Sequence, residues 1–278
     1  MDNKISGSKN PLRAFAEWTC GVDDQWSELA TGRARNAFID VVAVMIPGAR
    51  EPVSRKVYEL ARSWGAGHCS AVGFEQGLTA PMAAMTNGTS AHAIDFDDNF
   101  DPAKAHATAV LGPALLALAE DRDISGAALI DAYIVGLQII GRVGQGVNPF
   151  HRNRGWHATA TVGTVGSAAG CSRLLGLGVE ETAHAISLAT SMCGGFMSQF
   201  GTMTKPLHAG FAAAGAVKSS LFAEAGITAG DQTLHGSMGM GTLMVGPDVE
   251  RLRRSMLGKA EHGQTVTFAT EDIGSPLM

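Results

Sequence analysis

The stretch that decides the fold is Ser125-Gly-Ala-Ala-Leu129-Ile-Asp-Ala132-Tyr133-Ile-Val-Gly136-Leu137-Gln-Ile-Ile140-Gly-Arg-Val143. Leu129, Ala132, Tyr133, Gly136, Leu137 and Ile140 recur at steps of three and one, the spacing of one face of an α-helix. Ser125 sits where a hydroxyl can accept a bond from the first free N–H groups. Outward from here the same period returns. Residues 33–45 carry it up to Pro47 and Gly48, 53–64 up to Gly65, and 80–95 after Pro81. It continues through 109–120, 162–175 and 179–189, and through 206–225 with Gly226 as a C-terminal cap. A short helix is expected at 248–257. The one alternating stretch is 265–270, and no other segment reads as a strand. The expected fold is all-α.

Composition agrees. The chain has 278 residues, 45% apolar and 17% charged, below the roughly 25% charged of an average protein. That excludes a disordered chain. A net charge of −5 with no basic block argues against nucleic-acid binding. Aromatic residues are scarce at 6%, whereas glycines number 35. Packing must offset the helix propensity that each interior Gly gives up, about 1 kcal/mol against Ala. Gly163, Gly166 and Gly170 lie at the spacing of a close helix contact. Cys20, Cys69, Cys171 and Cys193 form no C-x-x-C pair and read as buried thiols, with no metal site. The start of the chain lacks a basic segment followed by an apolar one, so no signal peptide is expected. The longest uncharged run, 182–204, is long enough to cross a bilayer. Its His184, Gln199, Gly194 and Gly195 favour a buried helix and loop instead. A cytoplasmic protein without a membrane segment is the expectation.

Three clusters could carry chemistry. His92-Ala-Ile-Asp95-Phe-Asp97-Asp98-Asn99, followed by His106, crowds three carboxylates beside imidazoles. Such carboxylates are solvated at a helix end, or they orient a histidine and shift its pKa. Arg154-Gly-Trp156-His157-Ala-Thr159-Ala-Thr161 places a histidine at an expected helix start, which attracts anions. In Thr202-Met-Thr204-Lys205-Pro-Leu-His208, Lys205 is the one Lys or Arg between Arg173 and Lys218. It is either a surface point or an anion clamp. His106, His157, Lys205 and Asp95 together suit proton transfer beside a carboxylate. Gly236-Ser-Met-Gly-Met-Gly241 does not form a G-x-G-x-x-G turn, and neither G-x-S-x-G nor H-E-x-x-H occurs.

The residues Asn87-Gly-Thr-Ser-Ala-His92-Ala-Ile-Asp95-Phe-Asp-Asp98 resemble the NG-x-x-x-H-x-x-DFDD block of the MmgE/PrpD family. The stretch from Gly155-Trp-His157 to Gly163 resembles its GWH-x-T-x-T-x-G block. Gly201-Thr-Met-Thr-Lys205-Pro-Leu-His208-Ala-Gly210 resembles its GT-x-x-K-x-x-H-x-G block. The blocks stand in family order, and the resemblance runs from about residue 33 to 278.

The resemblance implies a large all-helical domain at 31–271, preceded by an extension and first helix at 1–30. Residues 272–278 then begin a link to an α/β lid that is absent from this sequence. It implies a homodimer formed through the helical domain, without metal or organic cofactor, acting on a small di- or tricarboxylate. Asp95, His106 and His157 are the implied catalytic residues. Lys205, Thr204 and His208 are implied to bind substrate, together with Asn99, which stands where the decarboxylases carry a threonine. The first expectation is a lyase of the 2-methylcitrate dehydratase type, impaired where the lid is missing. Cis-aconitate decarboxylation and iminodisuccinate-type epimerisation are alternatives, because each also stabilises charge next to a carboxylate. From another class, a non-catalytic helical dimerisation module or truncated remnant is the competing expectation.

Overall fold

The computed structural model describes residues 10–246. They form eleven α-helices and one short strand, the all-α fold expected. In chain order these are α1 Pro11–Gly21, α2 Glu28–Gly48, α3 Pro52–Trp64, β1 Ala66–Cys69, α4 Ala80–His92, α5 Thr108–Asp121, α6 Gly126–Val147, α7 Phe150–Asn153, α8 Ala158–Leu175, α9 Val179–Met192, α10 Thr204–Glu224 and α11 Met240–Val245. The expected helix at 248–257, the strand at 265–270 and the link at 272–278 lie outside the described residues.

Several starts are written in the sequence. The Asn10 side chain accepts from Leu12 N–H, the Ser27 hydroxyl from Ala30 N–H, and the Ser125 hydroxyl from Ala128 N–H. These caps satisfy donors that have no partner within the helix. Pro11, Pro52 and Pro81 stand in first turns, where a missing N–H costs nothing.

The core is built around α4, α5 and α8, which are buried on nearly every side. Helix α4 packs on α10, α5, α2 and α3, while α8 packs on α6, α10, α9 and α5. Small residues set these distances. A methyl on Gly166 would stand 2.5 Å from the Ile140 backbone nitrogen, and one on Gly170 would stand 3.2 Å from Gly136 Cα. Helices α6 and α8 therefore touch backbone to backbone, as the glycine spacing suggests. Gly163 instead faces Val110 of α5. A methyl on Gly88 would meet the Ala209 carbonyl oxygen at 3.0 Å, so α4 and α10 approach in the same way. Next to it, the buried Asn87 side chain donates to Ser70 O at 2.8 Å and accepts from Val72 N–H at 2.9 Å. Asn87 and Gly88 thus hold the chain path after β1 and admit α10; their role is in packing.

Some boundaries move. Helix α8 begins four residues before the expected 162, and its buried Thr161 and Thr164 turn their hydroxyls onto the His157 and Ala160 carbonyls. Helix α4 stops at His92 instead of Asp95, and Asp95 takes φ 55, a left-handed conformation. The short α7, α11 and β1 have too few residues to display a period. The run 182–204 divides into the end of α9 and a loop. Helix α6 is long and apolar enough to cross a membrane, yet two-thirds of its apolar window is buried among the other helices. All four cysteines are free; Cys69 and Cys171 are buried as expected, while Cys20 and Cys193 are half-buried.

Candidate active site

Three segments converge at the end of the core where α4 stops and α8 and α10 begin. The first is the loop between α4 and α5. A bridge between Phe100 and Ala105 folds it back. His106 N–H donates to Thr159 Oγ1 of α8 at 3.0 Å, and Asp98 accepts from Thr108 N–H at 2.9 Å. Asp98 thereby supplies the cap that α5 lacks from its own flank. The second segment is the start of α8, with His157 as the residue before its first turn. The third is the loop between α9 and α10, which pairs with the second. Gly195 O accepts from His157 N–H at 3.0 Å, and Gly155 O accepts from Met197 N–H at 2.7 Å. Trp156 and Phe196 close the seam with ring centroids 4.9 Å apart.

These segments enclose a cavity of about 310 Å³, at the small end of the roughly 300–1,000 Å³ typical of small-molecule sites. Asp95, His106, His157 and Lys205 line it, with Lys104, Arg152, Thr159 and Phe200. A larger groove of about 900 Å³ runs between α2 and the start of α6, but no imidazole or lysine lines it. Residues from all three sequence clusters therefore meet at the smaller cavity.

Lys205, only 15% exposed, pairs with Asp95 and lies 5.5 Å from the centre of the Phe200 ring. His106 Nε2 stands 3.9 Å from Asp95 Oδ1. His157 Nδ1 meets His208 Nδ1 at 3.1 Å, and the Phe200 ring sits edge-on to His157 at 4.9 Å. Behind this wall, Asp97 Oδ2 lies 2.8 Å from His92 Nδ1 and 3.4 Å from His106 Nδ1. Neither side chain of the His92–Asp97 pair has more than 1% exposure.

Electrostatics separates the groups. Burial pushes His157 down to about 2, helped by positive charge at His92, His208, Lys205 and His106. Its ring is neutral at ordinary pH. Burial also lowers His106, opposed by Asp97 and Asp95, and lowers His208, assisted by His92. For Asp95, burial opposes ionisation, but the Lys205 hydrogen bond and charge hold its pKa below the usual carboxylate value. Burial raises Asp98 to about 7, with Asp97 and Asp40 adding to the shift and Thr108 opposing it. His92, Asp95, Asp97 and His106 bring ligand-type atoms within 4.8 Å of one another. A metal ion there would have to displace the Lys205 ammonium from Asp95 and His92 from Asp97, so the cluster is already matched internally.

The structure thus brings together Asp95, His106, His157, Lys205 and His208. Asn99 is exposed and Thr204 opens α10; neither lines the cavity. Sequence reading singled out Arg154, yet Arg152 is the arginine on the lining. It also left Asp97 in an undivided acidic run. The signal was the five-residue step from His92 to Asp97 across a helix end, which sequence spacing alone does not resolve into a contact.

What the fold and site define is an all-helical domain with a cationic, histidine-lined cavity at one end of its core. Residues 13–252 match the MmgE/PrpD N-terminal domain, and the chain belongs to this family. It is 33% identical over 215 residues to the cis-aconitate decarboxylase of Aspergillus terreus, covering 74% of this chain and 44% of that protein. It is 31% identical over 218 residues to the cis-aconitate decarboxylase of Homo sapiens, covering 75% and 45%. A cis-aconitate decarboxylase-like protein of Aspergillus oryzae is 31% identical over 204 residues, 70% of this chain and 42% of the relative. The chain therefore spans less than half the length of the curated relatives it matches.

Proposed function

We propose that this chain forms the helical domain of a cofactor-independent lyase acting on a small di- or tricarboxylate. One observation carries the reading: Lys205, His106 and His157 line one small cavity together with Lys104 and Arg152. Cationic groups hold carboxylates by charge-assisted hydrogen bonds. In dehydration one imidazole removes a proton from the carbon next to a carboxylate and the other protonates the departing hydroxyl; in decarboxylation an imidazole supplies a proton to the carbon that carbon dioxide leaves. Negative charge that develops at that carbon spreads into the carboxylate held by Lys205. The substrate's own charge also counters the positive surroundings that hold His157 neutral.

Dehydration would expel a hydroxyl as water. Decarboxylation would release carbon dioxide and protonate the carbon left behind. The relatives named as cis-aconitate decarboxylases favour decarboxylation over the dehydration expected from the sequence. A cytoplasmic homodimer formed through the helical domain is part of this reading, and light scattering tests its mass. Activity is tested by incubating the protein with cis-aconitate, 2-methylcitrate, citrate and iminodisuccinate and following each by proton NMR. Conversion of cis-aconitate with release of carbon dioxide is the expected result. Dehydration of 2-methylcitrate would restore the first expectation, and no turnover of any would favour a non-catalytic module.

A further inference from the structure

Asp97 is a buried carboxylate that pairs with no arginine or lysine among the described residues. Among the described residues two imidazole Nδ1 atoms face its Oδ2: His92 hydrogen-bonds it at 2.8 Å, while His106 stands at ion-pair distance, 3.4 Å, with its buried Nδ1 making no hydrogen bond to a described residue. Asp97 Oδ1 is buried and makes no hydrogen bond with any described residue. An ionised carboxylate oxygen accepts and does not donate, so its charge favours the hydrogen on the nitrogen that faces it. A neutral imidazole has only one N–H. A proton on His106 Nδ1 therefore leaves a lone pair on Nε2, the atom 3.9 Å from Asp95 Oδ1. Asp95 competes less for a proton there, because it is farther away and its Oδ1 is held by Lys205.

The surroundings fix the rest. The His106 main chain is tied to Thr159 Oγ1 at 3.0 Å, and the His92 ring packs on the His106 ring with centroids 4.6 Å apart. His92 is itself fully buried and does not line the cavity; besides Asp97 and His106 it touches His157, with ring centroids 5.8 Å apart. His157 has no carboxylate in the same place; its Nδ1 faces another imidazole, that of His208. The two cavity histidines are therefore unequal. A carboxylate behind the ring stabilises the imidazolium that forms when the front nitrogen accepts a proton.

We propose that Asp97 is the positioning residue of this site: anchored by His92, its charge keeps the hydrogen of His106 on Nδ1 and presents Nε2 of His106 to the substrate as the nitrogen that exchanges a proton with it. This assignment rests on the proton-transfer reading above. It leaves His157, paired with His208, as the neutral partner that hydrogen-bonds the substrate.

Two measurements on the full chain test it. In histidine-labelled protein, long-range proton–nitrogen NMR at pH 8 should show His106 with hydrogen on Nδ1 and a bare Nε2, assigned by comparison with His106→Gln. Asp97→Asn should return His106 to the Nε2–H form that free histidine prefers. With whichever polycarboxylate is turned over, Asp97→Asn should lower kcat by about 10²- to 10⁴-fold and leave KM within about threefold. An Nε2–H tautomer at His106 in the unmodified protein, or an unchanged kcat in Asp97→Asn, would overturn the assignment. If Asp97→Asn does not fold, the spectrum of the unmodified protein still decides. Full turnover by His106→Gln, or no turnover of any carboxylate, sinks the lyase reading instead; the tautomer then still reports whether Asp97 orients the ring.

Discussion

Gly166→Ala and Gly32→Ala add the same methyl group to two helices and should move stability in opposite directions. Around Gly32, inside α2, nothing lies within 4 Å of the added carbon. The change there removes only the backbone entropy penalty of glycine and gains about 0.5–1 kcal/mol. At Gly166 the added carbon would lie 2.5 Å from Ile140 N and 2.7 Å from Ile140 Cα. Backbone cannot rotate away as a side chain can, so α8 must retreat from α6 by roughly 1 Å. Overpacking of this kind costs about 1–3 kcal/mol, and contact with backbone places it at the upper end. After subtracting the propensity gain, the net loss is about 2 kcal/mol. In a protein of this size that lowers Tm by about 4–8 °C, while Gly32→Ala raises it by about 1–4 °C. Circular dichroism at 222 nm during heating reads both changes on the same chain. A Gly166→Ala protein that melts at or above the parent temperature would refute the backbone contact between α6 and α8. Because α8 carries His157 at its start, the same variant should also lose activity before it unfolds.

Three further outcomes follow from the site. His157→Ala should lower kcat by about 10²-fold or more, the usual share of a proton-transferring side chain, in steady-state assays with the accepted carboxylate; retained kcat would remove His157 from the chemistry. Lys205→Met should act mainly on binding: losing a hydrogen bond from a charged group, about 1.5–3 kcal/mol, raises KM by roughly 10- to 150-fold, and unchanged KM would show that Lys205 serves only Asp95. His151, wholly buried and bonded through Nε2 to Thr161 Oγ1 at 2.8 Å, is pushed by burial down to about 4. Its folded pKa lies below the unfolded value, so the unfolded chain binds more protons between pH 6.5 and 4. Stability should fall as pH falls through that window, by roughly 3 kcal/mol for this residue. Urea titrations of His151→Gln should show a flatter slope there, and equal slopes would refute the assignment.

The long amphipathic helices were legible because their periods are clean. Ser125 and the spacing of Leu129 through Ile140 place α6 correctly at its start. The core helices were harder to read. In α4, Thr86, Asn87, Thr89, Ser90 and His92 are all buried, so a segment read from its small apolar residues also buries its polar ones at the centre of the domain. The Thr89 hydroxyl and the Asn87 amide bond to backbone, whereas the buried Thr86 and Ser90 hydroxyls have no partner among the described residues, and a pattern of apolar positions registers neither. Within the site, Asp95, His106, His157 and Lys205 were legible through the three motif blocks. The division of labour inside the acidic run was not. Asp95 turns outward to Lys205 while Asp97, two residues on, turns inward to His92. The left-handed conformation at Asp95 helps to set that divergence, and no local sequence rule forecasts it. Asn99 shows the converse, since a place in a motif does not ensure a place on the cavity wall.

That left-handed residue also narrows the routes by which the site can change. At φ 55 a backbone tolerates glycine, and among residues with side chains it favours Asn and Asp. An aspartate codon reaches asparagine or glycine by a single transition. Either replacement keeps the turn and removes the counter-charge of Lys205, leaving the ammonium free for another anion. Glutamate is also one base away, and it keeps the charge but fits the turn poorly. The genetic code and the backbone together therefore make losing the Asp95 charge an easier step than moving it. Drift at this codon would release a lysine into the cavity sooner than it would unfold the loop.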